Sequence, residues 1–283
     1  MANAWLPWRP NCAADLRASA RSQARVIAIP WLFSLSALSD TQKALALATI
    51  NSMKIISMLP WADWLALITF FGLWAGYAWF ARIRGKLDKS LIATTNTYRQ
   101  SWMLQATARD PRMLDGLITQ NLSQTPAFFS STSIIIIGGL FALLGTTNKA
   151  AELVGEIPFA EPTPLLVFEL KILVLVGIFV YAFFRFSWSM RQYTFVALVI
   201  GGMPPPESFA SGEHDRLHYA QRAGNLVSAA AETFNDGLRA YYFSFAAMAW
   251  FFSPLALVVA TALVVLILYG REFRSEVLQV LRD

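Results

Sequence analysis

His214 and His218 stand four residues apart, the spacing that sets two imidazoles on one face of a helix. With Glu213 or Glu232 as a further donor they would offer a divalent metal part of a coordination shell. Two ligands do not make a site, however, and no H-E-x-x-H pattern is present. Gly212 also leaves His214 beside a helix start, so a solvated helix end is the plainer expectation, with no metal and no cofactor. Glu169 and Lys171 are the two ionisable groups set well inside an apolar run. Charge at membrane depth is costly and by default marks function, so they are candidates for a polar pathway or an inter-helix contact. Near a helix end such groups can also snorkel to the headgroups. Their i, i+2 spacing points them to different sides, so they do not pair with each other.

Amides and hydroxyls gather ahead of another apolar run. Gln120, Asn121 and Gln124 share a helical face, and Ser131 and Ser133 follow. They could coordinate a permeating ion, although bonding to neighbouring helices is the commoner use of such groups in membranes. Thr125-Pro126 reads as a cap followed by proline at the first helical position. Arg99, Arg109, Arg112 and Arg239 are positioned to pair with Glu232 and Asp236, which would clamp two polar segments together near Trp102 and Asn235. The same arginines would suit an anionic lipid surface, each basic group attracting it by about 1 kcal/mol.

The elements that must carry these groups are four apolar runs, at about 64–81, 126–145, 165–184 and 241–269. A bilayer core of about 30 Å takes about 20 helical residues to cross. Backbone groups in hydrocarbon have no water to bond, so each run is expected to be a helix. The 283-residue chain is 56% hydrophobic and only 14% charged, far below the share of charge in soluble domains. The expected fold is therefore all-α, a polytopic four-transmembrane-helix bundle with helical cytoplasmic loops. The net charge of +5 is spread over the segments flanking the runs, without the aromatic-interleaved patch of a nucleic-acid binder. A single cysteine, Cys12, excludes an intrachain disulfide and any multi-thiolate metal site.

Residues 82–125 carry seven Lys/Arg, residues 146–164 carry one beside three glutamates, and residues 185–240 carry five. That alternation places the two long segments in the cytoplasm and the short acidic one outside. Arg271, Arg274 and Arg282, in the tail, resist a four-crossing count that would put the tail outside. Residues 1–57 are expected to be an N-terminal extension: a signal-like or interfacial segment, or an upstream stretch ahead of a start at Met53 or Met58. Residues 89–108 and 213–235 have helical composition, 193–203 is an apolar stretch too short to cross, and Pro254 is expected to kink or interrupt the fourth run. Gly72 and Gly76 form a G-x-x-x-G pair, and small residues recur at Gly138, Gly139, Ala142 and Gly145, and again at Ala220, Gly224, Ser228 and Ala231, which favours close helix packing.

Three segments together resemble a known family: Tyr98-Arg99-Gln100-Ser101-Trp102-Met103; Gln120-Asn121-Leu122-Ser123-Gln124-Thr125 leading into Ser131-Thr132-Ser133-Ile134; and Phe234-Asn235-Asp236-Gly237-Leu238-Arg239-Ala240-Tyr241-Tyr242-Phe243. They are similar to the "domain of unknown function 599" family of four-span integral membrane proteins of bacteria and plants. The resemblance covers about residues 58–272, implies the four-span architecture, and brings no activity or catalytic residue with it. The expected function is that of a non-enzymatic protein of the bacterial inner membrane. It would lie in the lipid bilayer, assemble as a homo-oligomer or with a membrane partner, and in that form could offer a channel-like pathway. No nucleic-acid partner is expected. Two alternatives are a membrane-embedded metal-dependent enzyme using the His pair, and a structural accessory subunit of a larger complex.

Overall fold

The structure, a computed structural model, describes residues 59–85, 90–155 and 164–282; the readings made for residues 1–57 lie outside them. Among the described residues all regular structure is helical: α1 (Trp61–Gly85), α2 (Leu91–Ala106), α3 (Met113–Leu144), α4 (Thr147–Gly155), α5 (Leu165–Gly201), α6 (Pro206–Ala210), α7 (Arg216–Met248), a 3-10 turn (Ala249–Phe251), α8 (Pro254–Phe273) and α9 (Glu276–Val280). Four helical stretches are long and apolar enough to cross a membrane: α1, α3, α5 and the run Pro254–Val280 that begins with α8. The chain is thus a multi-pass membrane protein built on four long apolar helices.

Local chemistry sets the ends of these helices. Asp63 lies in the first turn of α1 and Arg82 and Arg84 in its last, each sign complementing the helix dipole. Ser90, Asp215, Ser253 and Ser275 cap α2, α7, α8 and α9, each side chain accepting from a backbone N–H three residues on. Pro126 does not start a helix: α3 runs through it from Met113. The long apolar path of α3 along α5 outweighs the one backbone bond a proline removes. The stretch 193–203 is likewise no separate interfacial piece. It continues α5, and Tyr193, Val196 and Ile200 are buried against Met103 of α2 and Ala220, Ala223 and Val227 of α7.

The fourth apolar run divides. Ser253 caps a new helix and Pro254, with no N–H to satisfy, takes its first turn, so residues 241–248 belong to α7 instead. α7 therefore carries its charged middle straight into the apolar bundle. From Asp236 to Trp250 it runs about 21 Å, antiparallel to α1, tied at one end by Arg82 to Asp236 and at the other by the Trp250 indole N–H to Asp63 (2.6 Å). The α7–α8 hairpin returns Arg271 and Arg274 to the end of the bundle where α1 finishes, with the Phe80 ring 5.6 Å from that of Phe273. A basic tail beside Arg82 and Arg84 is what the charge count alone left unexplained.

α3 packs on α5, α5 on α7, α7 on α2 and α8, and α8 on α1. Rings mark the seams: Trp74 of α1 stacks on Phe243 of α7 at 5.1 Å, and Phe129 of α3 stacks on Phe186 of α5 at 5.2 Å. Two glycines admit the closest approaches. A methyl on Gly237 would fall 2.5 Å from the Phe186 ring, and one on Gly224 would fall 2.4 Å from the Gln100 amide. Small residues at helix crossings are how membrane helices gain van der Waals contact.

Candidate functional site

Charge converges at one end of the apolar bundle. Asp236, buried on α7, accepts from Arg82 Nη2 at the end of α1 (2.9 Å), from Arg239 Nη1 one turn along α7 (3.0 Å), and from Arg185 Nη2 on α5. Arg239 is itself buried, its guanidinium 5.8 Å from the centre of the Tyr77 ring. An isolated buried carboxylate would be expensive, and a buried guanidinium no less so; each neutralises the other. Three guanidiniums nevertheless carry more charge than one carboxylate neutralises. Arg185 Nε is buried without a hydrogen-bond partner. Arg82, 64% exposed along its side chain, adds little to stability and stays free to reach elsewhere.

These residues line a cavity of about 520 Å³, completed by Asn96 of α2 and Glu232 of α7. Asn96 Nδ2 donates to Glu232 (3.1 Å) and Asn96 Oδ1 accepts from Arg99 (2.6 Å). The cavity thus holds three guanidiniums against two carboxylates. A neighbouring cavity of about 350 Å³, which shares Ile92 with the first, is lined by Arg99, Asn235, Arg271 and Glu272. Glu272 there accepts from the Ile92 N–H (3.1 Å) and Arg271 donates to the Tyr242 hydroxyl (3.0 Å). Burial pulls the Arg99 pKa below its ordinary value, opposed by the nearby Glu232 carboxylate.

The arginines read as a clamp have several different partners. Arg239 pairs with Asp236, but Arg99 reaches Glu232 only through Asn96. Arg109 (2.5 Å) and the Trp102 indole N–H (2.7 Å) both go to Asp115, which is fully buried in the first turn of α3. Arg112 donates to the carbonyls of Ala106, Met203 and Pro204, holding the ends of α2 and α5 together. Arg82 and Arg185, counted in the sequence only as flanking charge, are the missed members. The signal was there: each directly follows an apolar run, and Asp236 and Arg239 directly precede another, so all four lie at one depth.

The other candidates are scattered. Gln120, Asn121, Gln124 and Ser131 are exposed on α3, whereas Ser133 is buried, donating to the Phe129 carbonyl (2.7 Å) and meeting the Tyr241 hydroxyl at 2.9 Å. Glu169, half-buried, and Lys171, buried, lie near the start of α5 at the Trp250 end of the bundle. Lys171 Nζ stands 5.4 Å from the centre of the Trp250 ring. His214 and His218 are exposed about the start of α7, and Glu232 follows His218 by about 21 Å of helix, so the three do not share a site. Among the described residues no three His, Cys, Asp or Glu side chains gather as a metal group.

An all-helical bundle with an arginine-rich cavity at the end of its apolar helices defines a class of integral membrane protein. Residues 65–277 match the family model described as protein of unknown function, DUF599, and the chain belongs to that family. No curated protein and no solved structure matches it.

Proposed function

We propose that this protein is a non-enzymatic membrane protein that binds an anionic group in the Arg82–Arg185–Arg239 cavity. The observation that carries the reading is the surplus of guanidiniums over carboxylates lining one cavity, with Arg185 Nε unpartnered. Guanidinium is the group best suited to phosphate and carboxylate, through paired N–H donors and a charge it does not lose. The cavity's own acids are engaged, Asp236 by arginines and Glu232 by Asn96, which suits recognition rather than turnover. The arginine end faces the cytoplasm of a bacterial inner membrane under the rule that retains Lys and Arg there. Assembly with a second copy belongs to the same proposal: an added Cβ on Gly72 or Gly76 would meet open space, leaving that face of α1 free for a close helix contact between chains.

The test is a thermal melt of the detergent-purified protein at matched ionic strength. The probes are inorganic phosphate and, in mixed micelles, phosphatidate. A ligand at a hundred times its Kd stabilises by about 2.7 kcal/mol, so a saturable rise in Tm of several degrees is expected with at least one probe. Arg82→Gln and Arg82→Gln/Arg185→Gln should weaken it in that order. No saturable rise with either probe, or an undiminished rise in the double variant, overturns the proposal.

A further inference from the structure

We infer that the anion is the headgroup of an anionic phospholipid, which enters sideways between α1 and α5 and lays an acyl chain along the groove between them. This rests on the anion-binding reading above and names its ligand class. A third cavity, of about 690 Å³, lies between the two helices and includes Trp74, Ala78, Val174, Gly177 and Tyr181 in its lining; Arg82 lines both this groove and the arginine cavity. The apolar groove and the charged cavity therefore meet at one side chain. A soluble anion would use the second and has no use for the first.

The two helices repeat the same arrangement. On α1 the groove begins at Phe71 and reaches Arg82 eleven residues later; on α5 it begins at Val174, and Arg185 follows at the same interval. Each interval is about 16 Å of helix, so hydrocarbon-lined length and terminal guanidinium are matched on both walls. Small residues keep the space open: Ala75 and Ala78 on one wall and Gly177 on the other, where an added Cβ would meet nothing within 4 Å. Trp74 and Tyr181 meet edge to face across it at 5.8 Å. Phe71, Trp79 and Tyr181 stay substantially exposed, leaving the groove open to the side, where a lipid approaches. Charge at one end and apolar walls behind it are the complement of an anionic amphiphile.

The test uses the full chain in nanodiscs of phosphatidylcholine doped with phosphatidate that carries a photoreactive diazirine in its acyl chain. Crosslinks should map to residues 71–79 of α1 and 174–181 of α5, and unlabelled phosphatidate should compete where phosphatidylcholine does not. Gly177→Phe should lower the yield by about tenfold, equivalent to excluding roughly two methylenes. Gly138→Phe, on α3 in similarly open space, should not change it. Arg82→Gln, which leaves Arg185 and Arg239 on Asp236, should reduce the selectivity for phosphatidate, and Arg82→Gln/Arg185→Gln should reduce it further. Crosslinks spread over every lipid-facing helix, with no effect of Gly177→Phe, overturn the lipid assignment. If inorganic phosphate still raises the wild-type Tm in that case, the cavity takes a soluble anion. If it does not, the anion-binding reading falls as well.

Discussion

Asp236→Ala should destabilise the folded protein by roughly 3–5 kcal/mol, the cost of removing one partner from a buried ion pair. The penalty falls mainly on Arg239, which is 5% exposed and loses the carboxylate it is paired with. Arg82, and to a lesser extent Arg185, can turn toward the headgroups and contribute less. The double variant Asp236→Ala/Arg239→Met should therefore recover much of the loss, because replacing both members of a buried pair by apolar groups is often close to neutral. Thermal midpoints of the purified variants check both statements. An Asp236→Ala protein as stable as wild type would mean that the arginines are not organised around this carboxylate.

Asp115→Ala is the second large effect, at about 3 kcal/mol, since a hydrogen bond to a charged group is worth about 1.5–3 kcal/mol. Asp115 holds the indole N–H of Trp102 and the guanidinium of Arg109, and so joins α2 to the start of α3. Asp115→Asn keeps an acceptor for Trp102 and loses only the ion pair, so it should be milder. Amide hydrogen exchange should quicken across residues 101–119 in the alanine variant while protection around Asp236 is retained. Unchanged exchange there would show that the α2–α3 junction is held by other contacts.

The contrast between these two aspartates shows what was legible in the residues. Apolar runs at 126–145 and 165–184 mark membrane helices because twenty apolar residues have few other uses; the first falls in α3 up to its cap at Gly145 and the second lies within α5. How far each helix continues beyond its run was not legible, since Thr125-Pro126 carries the local chemistry of a start and packing on α5 overrides it. The run at 241–269 hid a helix end for the opposite reason. Hydropathy is continuous across Ser253-Pro254, and only the cap and the missing proline N–H divide it. Asp236 and Arg239 were legible as members of a clamp between two polar segments. Arg82 and Arg185 are found only by comparing where separate apolar runs end, because their meeting depends on three helices ending an apolar stretch at one depth, which spacing along a single helix does not express.

With α7 drawn into the bundle, the arginines do more than mark an orientation. They surround a cavity whose positive charge the protein's own acids do not fully neutralise, with an apolar groove leading away from Arg82.

Native mass spectrometry of the protein released gently from its membrane tests this most directly, and the same spectrum counts the copies in the assembly. Wild-type protein should retain anionic phospholipid, in a fixed ratio to chains, that Arg82→Gln/Arg185→Gln loses. Identical spectra for the two proteins, or wild type carrying no anionic lipid or other phosphate, would contradict it.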